Sequence, residues 1–431
     1  MSSAESSTSS LFEGPLATRV RQAATAAKKA ARALASAPTA RKDAALRALA
    51  QALRARANEV LAANEDDVSR AKESGMAEAM LDRLTLTPAR IEGVARAVEE
   101  IIALADPVGK VDGLTRRPSG IVVGRMHVPL GVIAMIYESR PNVTIDAAAL
   151  CLKSGNAAIL RGGSEAARSN AALSALITSS LTSAGLPTEA VTLLPSYERE
   201  ATRVLLSSSD LIDVVIPRGG PGLVRFVAEH ARMPVIAHYQ GVNHLFVDRG
   251  ADLDRAVAMT VDGKVRRPSA CNALEALLVH AEIADAFLPA VASALAREGV
   301  EVRAEPRARA RMPGSIASKD DDFGQEFLAK ILAVKVVDDL GAAIEHVARY
   351  GSGHTEAIAT PSYENAQRWL REVDASCVLV NASTRFNDGG ELGLGAELGT
   401  ATTKLHAYGP MGLWELTTRK WIVYGEGEVR G

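Results

Sequence analysis

An α/β fold with two doubly wound parallel-sheet domains is what this sequence predicts, and three observations predict it. From about residue 131 onward, short apolar runs alternate with helical patterns, the rhythm of strand–helix units joined into parallel sheets. Runs such as Gly131-Val132-Ile133-Ala134-Met135-Ile136 lack polar alternation, as expected of strands buried on both faces. The length, 431 residues, exceeds what one hydrophobic core usually holds.

The elements follow in order. The opening MSSAESSTSS has neither the basic start nor the apolar stretch of a secretory signal, and residues 1–14 read as a disordered tail. Leu16 to Ala105 is rich in Ala, Leu, Arg and Glu with apolar residues at helical spacing; breaks at Ala37-Pro38-Thr39 and from Thr85 to Pro88 divide it into several helices. Between Arg116 and Leu130, Ile121 to Gly124 and Met126 to Val128 suggest a strand pair. After the strand at 131–136 come an expected helix within 143–153, a strand at 157–160 and a helix at 165–183 closed by Gly185 and Pro187. Strands at 191–194 and 211–216, a helix at 221–230 and a strand at 235–238 complete this series. A second βα series begins near Leu245-Phe246-Val247 and continues through 273–280, 333–337, 354–359 and 377–381. Trp421-Ile422-Val423-Tyr424 reads as a last strand.

Composition excludes several classes of function. The chain is 47% hydrophobic and 23% charged, with a net charge of −2, so nothing draws it to nucleic acid or an anionic membrane. No run of about 18 apolar residues is present to span a bilayer. Its three cysteines, Cys151, Cys271 and Cys377, lie far apart, and no pair has metal-ligand spacing; no metal is expected, and free thiols suit a cytoplasmic setting.

Three segments carry chemistry. In Gly263-Lys-Val-Arg-Arg-Pro-Ser-Ala-Cys271-Asn-Ala-Leu-Glu275 a helix should end near Lys264 and a strand begin near Leu274, placing Cys271 on a turn. Arg266 and Arg267 bring positive charge that favours a thiolate, although a buried cysteine beside solvated arginines fits as well. Ile216-Pro-Arg218-Gly219-Gly220-Pro-Gly222 follows an apolar strand and opens a helix, a place where backbone N–H groups can approach an anion. Its spacing is not G-x-G-x-x-G, and such turns are common in α/β proteins. Tyr137-Glu-Ser-Arg-Pro-Asn142 leaves the end of a strand; the Asn142 amide can donate to an oxyanion or cap the following helix.

These segments lie within longer runs: Tyr137 to Thr144, Leu152-Lys-Ser-Gly-Asn156, Leu160-Arg-Gly-Gly-Ser-Glu-Ala166, Arg267 to Ala273, Arg349 to Ala357, Val380 to Phe386, Gly409-Pro-Met-Gly412 and Glu415-Leu-Thr-Thr418. With these runs the chain resembles the γ-glutamyl phosphate reductases (glutamate-5-semialdehyde dehydrogenases) of the aldehyde dehydrogenase superfamily, from about residue 20 to the C-terminus. The resemblance implies an aldehyde-dehydrogenase-like fold with a small β oligomerisation element. It implies an NADPH-binding domain from 15–115 and 131–243, a catalytic domain at 244–407, and oligomerisation strands in 116–130 and 408–431. Cys271 takes the place of the nucleophile and Asn142 that of the oxyanion-stabilising asparagine.

The implied reaction is reduction of γ-glutamyl phosphate to glutamate 5-semialdehyde and phosphate, the second step of proline synthesis from glutamate. The implied chain is a homo-oligomer, with glutamate 5-kinase, the enzyme of the preceding step, as a candidate partner. For the cofactor, Arg161, Gly162 and Ser164 form one cluster and Arg218, Gly219 and Gly220 another. Ser164 stands where a glutamate selects NAD in the superfamily, so NADPH/NADP+ is favoured; Arg161 read alone also fits a solvated strand-end charge. Arg140, Arg266, Arg267 and Arg385 are candidates for the substrate's phosphate and α-carboxylate, with structural ion pairs as the other reading. The stretch 237–244 holds no carboxylate in place of the water-activating glutamate of hydrolytic relatives. Gln240 and Asn243 depart from the family, which more often has an acid and a cysteine there.

Overall fold

A computed structural model of the chain describes residues 14–237 and 240–430. It divides into two compact units, one drawn from 1–237, 393–399 and 411–431, the other from 238–392 and 400–410. Within the stretch expected to form the second domain, 393–399 therefore belongs to the first unit, where Gly395 lies against Leu104 at a φ of 76°. Apart from Gly14, the expected N-terminal tail falls outside the described residues.

The first unit opens with five helices: α1 (Pro15–Ala35), α2 (Thr39–Ala55), α3 (Ala57–Glu73), α4 (Glu78–Leu84) and α5 (Pro88–Ala103). In α1, Val20, Ala24, Ala27, Ala31 and Leu34 recur every three or four residues and are all buried, which is what holds the helix to the sheet. Thr87 accepts from the Arg90 N–H and Pro88 starts α5, so the break seen in the sequence is a cap. Next come β1 (Val111–Arg116), β2 (Val122–Pro129), β3 (Val132–Tyr137), α6 (Asn142–Lys153), β4 (Ala157–Arg161), α7 (Ala167–Ser183), β5 (Val191–Leu193), α8 (Arg199–Ser207), β6 (Val214–Arg218) and α9 (Pro221–His230). The parallel sheet has the order β5-β4-β3-β6. The chain moves outward from β3 to β5 and then returns to the other side of β3. The turns that follow β3 and β6 are thus neighbours at a topological switch point, where such sheets receive ligands.

Two expectations change here. The suggested strand pair within 121–128 is a single strand, β2, and its partner is β1. Within β2, Gly124 is what lets Leu114 cross: a Cβ at 124 would lie 2.7 Å from the Leu114 Cδ2. The strand expected at 235–238 shrinks to one bridge between Val235 and Val215. Pro234 has no N–H to extend the ladder, and His238 is outside the described residues.

The second unit contains β7 (Asn243–Val247), α10 (Leu253–Val265), β8 (Leu274–His280), α11 (Ala284–Arg297), β9 (Glu301–Ala304), α12 (Pro306–Arg309), β10 (Ile316–Ala317), β11 (Ile331–Val337), α13 (Leu340–Tyr350), β12 (Thr355–Ala359), α14 (Tyr363–Glu372) and β13 (Cys377–Val380). These strands form one parallel sheet ordered β10-β9-β11-β8-β7-β12-β13. Because side chains alternate across a strand, Leu245, Val247, Leu277 and Val279 join one buried cluster while Phe246 and Leu278 join another with Trp369. Burial on both faces is why these strands read as unbroken apolar runs. No apolar pattern marks β9 and β10, which are short, partly exposed and placed at the sheet's edge. Two short strands, β14 (Thr400–Ala401) and β15 (Gly409–Pro410), pair with each other. The last strand, β16 (Thr417–Tyr424), returns to the first unit and pairs antiparallel with β2, giving a three-stranded sheet β1-β2-β16. Among the described residues, no helix is long and apolar enough to cross a membrane.

Candidate active site

In the second unit, α10 ends at Val265 and β8 begins at Leu274, so Cys271 lies on the connecting turn, partly exposed. Two successive backbone turns shape it, with Ala270 N–H donating to the Arg267 carbonyl and Ala273 N–H to that of Ala270. Side chains then fix it from three directions. Asn243, the first residue of β7, points its amide Nδ2 at the carbonyls of Cys271 (2.8 Å), Ala273 (2.6 Å) and Gly241 (3.0 Å). Gly241 admits this packing, since a Cβ there would sit 2.0 Å from the Cys271 carbonyl oxygen. Asn272 donates to the carbonyl of Asn387 at 2.9 Å and more distantly to that of Arg385, tying the turn to the segment after β13.

A buried ion pair closes the ends of the same turn. Lys264, next to last in α10, meets Glu275 at 2.6 Å, and both are almost fully buried. Glu275 is the extra residue of a β-bulge, because the register shifts between Asn243–Leu274 and His244–Ala276. Burial holds the Glu275 carboxyl well above its usual range and the Lys264 ammonium below its own, each opposed by the attraction of its partner. Glu326 is also raised by burial and accepts from the Gly241 N–H.

The other two cysteines sit differently. Burial pushes the Cys151 thiol up to about 12 and the Cys377 thiol up to about 11, which disfavours the nucleophilic thiolate at both.

Of the candidate arginines, Arg266 and Arg385 line one pocket of about 610 Å³ in the second unit, together with Asp262, Asp388 and Glu391. Arg385 is half-buried, which lowers its pKa, and its charged neighbours include Asp388, Arg267 and the Cys271 thiol. Arg266 is exposed and pairs with Asp262 at 3.6 Å. Arg140 belongs to the first unit, in the turn between β3 and α6.

In that unit, Asn142 is the first residue of α6, and its side chain makes no capping bond. The cap reading is therefore corrected: Pro141 holds the cap position, and the Asn142 Nδ2 donates instead to Asp146 Oδ2 at 3.0 Å, one helical turn on. Burial raises the Asp146 carboxyl to about 6, against the opposing pull of Asn142 and Arg218. Ser139, with a φ of 39°, is held by Glu165 Oε1, which accepts from both its N–H and its hydroxyl at 2.7 Å.

The turn after β6 already receives an anion from the protein itself. Glu138 Oε2 accepts from the Gly220 N–H at 2.9 Å at the start of α9. A Cβ on Gly219 would come within 2.4 Å of the same carboxylate oxygen. Arg218 packs on Gly399, whose φ of 140° and lack of a side chain leave room for the guanidinium. At the end of β4, Arg161 donates to the Tyr197 carbonyl at 3.0 Å, while its buried Nε has no partner. Ser164 is exposed at the start of a short 3₁₀ turn.

Comparison with known proteins gives these groups a family. Residues 9–322 match the model of the "Aldehyde dehydrogenase family". A γ-glutamyl phosphate reductase from Sorangium cellulosum is 62% identical over 409 residues, covering 94% of this chain and 96% of its own. The crystal structure of a γ-glutamyl phosphate reductase from Thermotoga maritima superposes with a TM-score of 0.93 at 43% identity, over 96% of this chain and 100% of that one. The chain belongs to the γ-glutamyl phosphate reductases. An acetylating aldehyde dehydrogenase from Geobacillus thermoglucosidasius, 19% identical with a TM-score of 0.71 over 96% of this chain and 98% of that one, shares the fold.

As an aldehyde dehydrogenase family member, the chain uses a nicotinamide cofactor. Two places in the first unit have donors suited to an anion: the start of α9, where the Gly220 N–H already meets a carboxylate, and Arg161, whose buried Nε has no partner. Two residues that matter here lay unremarked inside the quoted motifs. Glu138 occupies the N–H that a phosphate would use, and Glu165, next to Ser164, is a charged neighbour of Arg161. Glu138 is likewise a charged neighbour of Arg161. The departure at Asn243 also gains a role, as the clamp on the Cys271 turn.

Proposed function

We propose that this chain reduces γ-glutamyl phosphate to glutamate 5-semialdehyde and phosphate with NADPH, through a thioester on Cys271. The observation that carries the reading is the position of Cys271: it is the one thiol on a clamped, accessible turn, in a chain 62% identical to a protein of that name. The Cys271 sulfur attacks the acyl carbon, the carbon–oxygen bond to phosphate breaks, and a thioester remains. NADPH, when bound, supplies the hydride that reduces this thioester. The carbon–sulfur bond then breaks, releasing the aldehyde and restoring the thiolate. By resemblance Asn142 is the oxyanion donor, and Asp146, through the bond it accepts, fixes which way that amide points. Stretch 237–244 brings no carboxylate to activate water against the thioester. In this reading the first unit carries the cofactor, the second the nucleophile. The β1-β2-β16 sheet, with Leu114, Trp421, Val423 and Tyr424 exposed, is the surface for assembly.

The test runs the reaction in reverse. Purified protein given glutamate 5-semialdehyde, phosphate and NADP+ should form NADPH, and Cys271→Ser should abolish this while leaving the fold intact. Turnover by Cys271→Ser at the unmodified rate refutes the thioester.

A further inference from the structure

The sequence points to arginines for the substrate's anionic groups, but the pocket that Arg385 and Arg266 line also holds three carboxylates. A site built for anions alone would not place Asp262, Asp388 and Glu391 around its guanidinium groups, because each would repel the ligand. The charges divide into committed and uncommitted groups. Asp262 and Arg266 satisfy one another, one turn apart on α10. Arg385 makes no ion pair among the described residues, and its Nε is buried with no partner. Asp388 accepts from the Gly390 N–H at 3.0 Å and has no cation within ion-pair distance among the described residues. Glu391, exposed and likewise without an ion pair among the described residues, lies farther along the chain, so an uncommitted cation faces the cavity with an uncommitted anion three residues away and a second beyond it. The wall of that cavity is tied to the turn that carries Cys271. Asn272, beside Cys271, donates to the backbone on either side of Phe386, and the Cys271 thiol is itself among Arg385's neighbours.

We infer that this pocket is a zwitterion subsite, in which Arg385 binds the α-carboxylate and Asp388 the α-ammonium of an α-amino acid whose side-chain acyl group reaches Cys271. The inference rests on the proposed reaction and names what selects its substrate. Carboxylate and ammonium share one carbon, so only a site offering both signs within a few ångströms stabilises both. In a γ-glutamyl chain that carbon lies about 4 Å from the acyl carbon, three bonds of about 1.5 Å away. The head group can therefore lie in the pocket while the far carbon meets the sulfur. An otherwise identical acyl chain without its ammonium would leave Asp388 facing a carboxylate's surroundings with nothing to neutralise it.

The test compares two aldehydes in the reverse reaction of the full chain, with phosphate and NADP+: glutamate 5-semialdehyde, and glutaric semialdehyde, which has no ammonium. Asp388→Asn should raise KM for the first about tenfold, the worth of one charged hydrogen bond, with kcat little changed, and should leave KM for the second the same or lower. Arg385→Gln should raise KM for both. Equal effects of Asp388→Asn on the two aldehydes, or none on either, would overturn the subsite. Failure of the unmodified chain to oxidise glutamate 5-semialdehyde, with turnover of another aldehyde, would instead defeat the proposed reaction itself, so the two failures are told apart.

Discussion

Asn243→Leu isolates what the clamp on the Cys271 turn contributes. The asparagine amide has two N–H donors and faces three carbonyls within 3.0 Å, so at most two full hydrogen bonds, or a shared set, are made at once. Leucine has nearly the same size and supplies no donor. Two buried carbonyls would lose their partner, at about 1–3 kcal/mol each. One gain opposes this: the Asn243 Oδ1 is buried without a partner, and leucine removes that unsatisfied acceptor, worth a similar amount. The net expectation is a loss of about 2 kcal/mol. Native-state hydrogen exchange read at β7 and β8 would report it as roughly thirtyfold faster opening, since each 1.4 kcal/mol is about a factor of ten. The clamp also holds the carbonyl of Cys271 itself, so the rate of Cys271 alkylation and its pH profile should change too. A merely structural asparagine would move the exchange alone. Unchanged exchange together with an unchanged alkylation profile would refute the clamp.

Two further predictions follow from buried charges. Lys264→Met strands Glu275 in the interior and should cost about 3–5 kcal/mol, whereas Lys264→Met with Glu275→Leu should recover most of it; urea unfolding of the two variants decides, and equal losses would show that the pair does not act as a unit. Asp146 titrates near 6 in the folded chain against an ordinary 3.8, so the fold holds this proton more tightly than the unfolded chain. The stability it contributes is complete below pH 3.8 and is lost as pH rises through about 6. The difference in unfolding free energy between the unmodified chain and Asp146→Asn should therefore fall by roughly 3 kcal/mol across that window. A flat difference would show that burial does not govern this carboxyl.

Much of the second unit was legible because its central strands are buried on both faces, so Leu245-Phe246-Val247 and Ala333 to Val337 appear as short apolar runs. The edges were harder. Glu301-Val-Arg-Ala304 is half-exposed, and a strand held through its backbone between β10 and β11 needs no apolar pattern to announce it. The role of Gly124 was hidden for a related reason: its lack of a side chain serves a neighbouring strand, and no local pattern records that. Within the site, Cys271 could be placed on a turn from the helix and strand that flank it. Asn142 could be singled out, yet its partner Asp146 could not, because both a cap and a turn-to-turn bond are open to an asparagine at a helix start.

By itself, then, the order of residues determined the two βα series, the family and the place of Cys271 on a turn between helix and strand, since these depend on local periodicity and on motifs contiguous along the chain. Tertiary structure decided which groups are already satisfied. Glu138 lies at the Gly220 N–H 82 positions away, and Asn243 reaches Cys271 across 28. Arg385 is left without an ion pair beside Asp388. Whether a charge is committed or available depends on distances that close only when strands far apart in sequence become neighbours, and that is a property of the fold.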